Sequence, residues 1–183
     1  MADIQTFLAK IPDPRRKQGI RYPLDKTLVL MLLGTMAGCI GYRSVARFYK
    51  ANEKYLSKTL GFKHGLPSHV SLTAIIENVD LTAFEKALTE WGISKLKSNN
   101  NAPPVIAIDG KSIKSSVTSG ISNQQNFISI VHAFCVSQEL VISSLSFENK
   151  NLHETEVVRQ MIEMLGIQGV VYTLDAAHAS KKL

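Results

Sequence analysis

The sequence predicts an α+β protein, with a helical first half and a β-β-β-α-β second half. Three observations carry this. Residues 1–98 place apolar side chains at helical spacing. The period turns to strand-like alternation after the polar, proline-stiffened stretch Ser98-Asn99-Asn100-Asn101-Ala102-Pro103-Pro104, which separates domains at 1–98 and 103–183. Two apolar runs, Val105–Ile108 and Val170–Leu174, each lead directly into an aspartate, Asp109 and Asp175.

The chain has 183 residues, enough to bury a core in one large or two small domains. With 45% apolar and 20% charged residues, disorder is excluded as the default state. The net charge of +6 is unevenly spread. Residues 1–102 hold 15 Lys/Arg against 8 Asp/Glu, whereas residues 103–183 hold 6 against 7. A basic first half suits a polyanion, or simply a soluble basic surface. Cys39 and Cys135 sit apart in apolar runs and read as buried free thiols of a reducing compartment, and no Cys pair suggests structural zinc. Residues 1–22 lack the apolar core of a secretory signal, and Leu28–Leu33 is too short to span a bilayer. The expectation is a cytoplasmic protein without a membrane partner.

In order, Ala2–Lys10 predicts a short helix ended by Pro12 and Pro14. Arg15, Arg16 and Lys17 follow in a basic loop, suited to phosphate contact or to plain solvation. Pro23 opens a nearly all-apolar, central helix to about Ala37. Arg43–Leu56 predicts one helix carrying Arg43, Arg47, Lys50, Lys54 and Lys58 along one face, the strongest nucleic-acid signal in the chain. A loop and a short helix from Ser68 to Asn78 make a helix-turn-helix compatible. A fourth long helix starts at Asp80 or Thr82.

Beyond the boundary, Val105–Ile108 predicts a strand and Ser112–Asn126 a hairpin or flexible loop. Phe127–Cys135 and Leu140–Phe147 form an antiparallel pair turning near Glu139. Glu154–Leu165 is a helix with Gly166 as its C-cap, and Gly169–Asp175 a strand returning parallel to the first.

Parallel neighbours would bring Asp109 and Asp175 to one edge of the sheet. Adjacent carboxylates repel unless a proton or cation lies between them, and hard oxygen donors suit Mg²⁺ or Mn²⁺. Strand-end aspartates also serve as plain turn or cap residues. Glu154 and Glu156 read as acids favoured by a helix N-terminus. His132 reads as a satisfied sheet residue and His178 as a loop residue or an outer partner of the metal site. Lys111 and Lys114 read as phosphate contacts or loop cations.

Six short motifs in order then resemble insertion-sequence transposases of the DDE type, in the H-repeat-associated group. They are Asp13-Pro14-Arg15-Arg16, Tyr22-Pro23-Leu24, Gly65-Leu66-Pro67-Ser68-His69, Asp80–Glu85, Ala107-Ile108-Asp109-Gly110-Lys111-Ser112 and Thr173-Leu174-Asp175-Ala176-Ala177-His178. The resemblance implies a helical transposase-associated domain and a ribonuclease H-like catalytic domain. It implies Mg²⁺-dependent DNA cleavage and joining, with Asp109 and Asp175 as catalytic metal ligands. It implies double-stranded element ends as partner, for which the basic residues Arg15, Arg16, Lys17, Arg43, Arg47, Lys50, Lys54 and Lys111 are the candidate contacts read from charge and spacing. A second copy or a full-length transposase is a further expected partner, and a nucleoid-associated location follows. The third acid of such enzymes lies well downstream, and this sequence stops eight residues after Asp175, at Leu183. The expectation is therefore a truncated transposase with an incomplete ribonuclease H-like domain. It would be inactive alone, or would serve as a non-catalytic DNA-binding or regulatory remnant.

Overall fold

The computed structural model describes residues 2–96, 103–113, 116–117 and 126–175. Seven helices and four strands follow in the order α1–α6, β1–β3, α7, β4 among the described residues, an α+β arrangement with the helices first. Two compact units divide the chain, residues 1–87 and 88–183, and the division falls within α6.

In the first unit, α1 (Ala2–Leu8) packs on α2 (Leu24–Met36), which also meets α3 (Tyr42–Ala51) and α5 (His69–Ile76). Leu8, Leu28, Leu30, Val45, Tyr49 and Leu72 are buried there. The predicted central helix is thus confirmed, with Leu24, Leu28, Val29 and Leu30 inside. The helix expected over Arg43–Leu56 is two. Asn52 adopts φ −114°, ψ 15° between α3 and α4 (Glu53–Leu60), and its side chain donates to the Phe48 carbonyl at 2.9 Å. An Asn amide competes for helix carbonyls in this way, so the period in the sequence survived a break it could not reveal. Ser68 caps α5, accepting from the Ser71 amide at 3.2 Å. α6 (Leu81–Ser94) starts from Asp80, whose Oδ1 accepts from the Ala83 amide at 3.1 Å, so Asp80 rather than Thr82 is the cap.

The second unit is a four-stranded sheet in the order β3-β2-β1-β4. β1 (Val105–Ile113) pairs antiparallel with β2 (Ile128–Cys135), and β2 antiparallel with β3 (Leu140–Glu148). β4 (Val171–Thr173) lies parallel to β1, as the helical return predicts. β1 runs five residues past the Ile108 expected to end it, because Ser112 and Ile113 find partners in Ser129 and Ile128. Backbone pairing, not apolar content, extends it. The turn after β2 places Glu139 at φ 51°, a left-handed conformation.

The sheet has two unlike faces. Ile106 and Ile108 of β1 share a core with Val131, Ala133 and Cys135 of β2. α7 (Glu154–Leu165) covers that face with Val157, Val158, Met161 and Leu165, and Gly166 ends it at φ 57°. The alternate residues on β1 and β2, Ala107, Asp109, His132 and Phe134, therefore point to the other face. Cys135 is buried and Cys39 half-buried, and both thiols are free. No helix among the described residues is long and apolar enough to cross a membrane.

Candidate functional site

Pairing of β1 with β4 sets Val105 opposite Val171, Ile106 opposite Tyr172 and Ala107 opposite Thr173. Two residues further along each segment stand Asp109 and Asp175. If that register continued past its last pair, the aspartates would be level on neighbouring segments. They also share a face: Tyr172 and Leu174 pack on the α7-side core with Ile106 and Ile108, so alternation turns Asp109 and Asp175 away from it. Both are exposed.

This donor set fits a hard divalent cation. Mg²⁺ is commonly held by one or two carboxylates and keeps several waters. No group of three or more His, Cys, Asp or Glu is assembled for a metal among the described residues. Lys111 is exposed two residues beyond Asp109, on the same face. His178 and Lys114 lie outside the described residues.

Two neighbours of Asp109 were not singled out as site residues by sequence. His132 is its register partner on β2, and Ser144 is the partner of His132 on β3. His132 Nδ1 and Ser144 Oγ share a 2.8 Å hydrogen bond. Glu154 approaches β1 from the covered face. A Cβ at position 110 would meet its carboxyl group, the mobile end of an exposed side chain that would have to move aside. The expected helix N-terminal acid therefore also seats on the strand that carries Asp109.

The basic residues sort into different environments. Arg15 is tied into the fold: its guanidinium reaches both Asp13 oxygens, at 2.8 and 2.7 Å, and the Tyr22 carbonyl at 2.8 Å. The hydrogen bonds from Arg15 hold the Asp13 carboxyl below its ordinary 3.8 despite some burial. The stabilisation from that pair is present at neutral pH and is lost as pH falls through the lowered pKa. Arg16 and Lys17 are exposed.

Arg43, Arg47 and Lys50 of α3 line a groove of about 760 Å³ with Glu53 and with Ser68 and His69 at the start of α5. The break at Asn52 puts Lys54 and Lys58 on α4, and neither lines that groove. The positive end of the α5 dipole adds to the three cations. Glu53 is a local opposing charge. Buried Tyr49 also borders the groove, and its hydroxyl has no hydrogen-bond partner. Burial, with Cys39 nearby, pushes its pKa far above the ordinary value.

The family described as DDE_Tnp_1-associated matches residues 5–92, which cover the groove and every helix of the first unit. The helical first part of the chain thus resembles a transposase-associated family, and relatives matched along nearly the whole chain include proteins named as putative transposases. It is similar to an Escherichia coli K12 protein named "Putative protein YbfL", 25% identical over 98% of this chain and 46% of that one. It is similar to "Putative transposase YncI" of Escherichia coli O157:H7, 25% identical over 97% of this chain and 44% of the relative. The YncI of strain K12 is also 25% identical, over 97% of this chain and 69% of its own length. The chain thus spans just under half the length of the first two relatives. No solved structure matches.

Proposed function

We propose that this transposase-associated chain binds duplex DNA through its first unit and holds Mg²⁺ or Mn²⁺ through Asp109 and Asp175, for cleavage and joining of DNA strands. The observation that supports the reading is the parallel register of β1 against β4, which, continued two residues past its last pair, would bring the two exposed carboxylates level. The order β3-β2-β1-β4, antiparallel through β1 and then parallel, suits the ribonuclease H-like domain expected from the sequence.

A divalent cation bound there would neutralise charge on phosphate and leaving oxygens and make a water or hydroxyl more acidic. The protein's own residues do the rest. Asp109, on β1, and Asp175, just beyond β4, offer the oxygen ligands. Lys111, on the same face, meets a phosphate that approaches the carboxylates. Arg43, Arg47 and Lys50 bind the backbone of the duplex and carry no base information of their own. Such a chain belongs on the nucleoid, working with a second copy or with a longer transposase.

A second reading rests on one observation: no group of three or more acids, histidines or cysteines able to hold a metal is assembled among the described residues. On that reading the chain binds DNA and cleaves it weakly or not at all. Nicking of supercoiled plasmid in Mg²⁺ or Mn²⁺ separates the two. Nicking that disappears in Asp109→Ala supports cleavage, and its absence beside intact DNA binding supports the binding-only reading. For the groove, the Arg43→Ala/Arg47→Ala/Lys50→Ala variant should lower the slope of log affinity against log salt by about 2–3. An unchanged slope removes the groove from the DNA contact.

A further inference from the structure

Ser144, His132 and Asp109 form one row across β3, β2 and β1, and Asp175 lies two residues past the end of β4. Ser144 pairs with His132 and His132 with Asp109, and the β1–β4 register, continued past its last pair, would bring Asp175 level with Asp109. Alternation puts the whole row on the face that α7 leaves uncovered. Directly opposed residues on antiparallel strands hold their Cβ atoms about 4.5–5.5 Å apart, within reach of an imidazole and a carboxylate.

The hydrogen bond with Ser144 then decides which way the ring faces. His132 Nδ1 turns toward β3 to meet Ser144 Oγ at 2.8 Å. In an imidazole, Nε2 lies at the far end of the ring on the side away from Nδ1. With β2 between β3 and β1, that side is the Asp109 side. The Ser144 bond fixes the half-buried ring at Nδ1 and leaves Nε2 on the side of the strand that carries Asp109, without a hydrogen bond to it in this structure.

We propose that His132, braced by Ser144, is a positioning residue for the Asp109 carboxylate. It limits the rotamers of Asp109 and keeps one oxygen directed toward Asp175. The inference rests on the reading of Asp109 as a metal ligand and deepens it. Groups that orient a metal-binding carboxylate contribute to affinity although they never touch the ion. Neither His132 nor Ser144 belongs to the motifs through which the chain resembles transposases, and the pairing that joins them spans 12 residues of sequence.

Titration of the purified chain with Mn²⁺ alone, followed calorimetrically, tests this beside thermal unfolding of each variant. Asp109→Asn should abolish binding. His132→Asn keeps a polar atom near the position of Nδ1, and so the bond with Ser144, but loses the far nitrogen. It should weaken Mn²⁺ binding about 10-fold with little change in unfolding temperature. His132→Gln, which carries a polar atom near the Nε2 position, should recover most of that loss. Ser144→Ala should weaken binding less than His132→Asn does. A merely structural histidine would give the reverse pattern, with stability lost and Mn²⁺ affinity kept in the folded fraction. Wild-type affinity in His132→Asn beside no binding in Asp109→Asn overturns this inference alone. Full Mn²⁺ binding in Asp109→Asn, or no binding by the wild-type chain, overturns the metal reading and this inference with it.

Discussion

The two faces of the sheet are cut from the same strands and differ in almost everything else. On β1 and β2 the covered face is Ile106, Ile108, Val131, Ala133 and Cys135, closed by Met161 and its neighbours on α7. The other face alternates with it residue by residue and carries Asp109, Lys111, His132 and, from β3, Ser144. A period of two lets one segment serve stability on one side and chemistry on the other. Gly110 is where the two demands meet, since it follows Asp109 and has given up its own side chain to Glu154.

The largest test of that contrast lies on the covered face. Met161 is fully buried, and Met161→Ala should cost about 2–5 kcal/mol in urea unfolding of the second unit. A cost under about 1 kcal/mol would mean that α7 does not seal this core. Next comes the point where the faces meet. Gly110→Ala should destabilise by only about 1 kcal/mol, because the exposed Glu154 carboxyl can move aside, and Gly110→Ala/Glu154→Ala should recover most of it. Strictly additive losses would show that the two residues do not share that space. An effect of similar size and opposite sign is expected at Tyr172. Its hydroxyl is buried with no partner, and its pKa is raised by burial. Tyr172→Phe should raise stability by about 1 kcal/mol, seen as a few degrees in Tm. The smallest effect belongs to an exposed edge residue. Val141 is 47% exposed on β3, and Val141→Thr should change stability by less than about 0.5 kcal/mol.

Much of this was legible in the chain itself. The apolar period marked α2 and α7, and alternation marked β2 and β3. The helical return placed β4 parallel to β1. Other features were not legible. The cation row of residues 43–58 kept its spacing through the break at Asn52, because periodicity is blind to one residue leaving the helix. Arg15 has the same composition signal as Arg16, and only its hydrogen bonds with Asp13 and Tyr22 distinguish it. β1 ran on past its apolar residues because a ladder is satisfied by backbone groups, which all residues share.

By itself, the sequence determined the helices-first order, the strands, the basic first half and the two aspartates that follow apolar runs. Those are local properties, set by spacing, charge and side-chain type within a few residues. Only the tertiary structure decided that His132 stands opposite Asp109 with Ser144 behind it, that Glu154 seats on Gly110, and that three cations of α3 share a groove with the start of α5. Each of these joins segments that no local pattern relates. Register is fixed by pairing between separate strands, and a slip of one residue would have turned His132 to the opposite face.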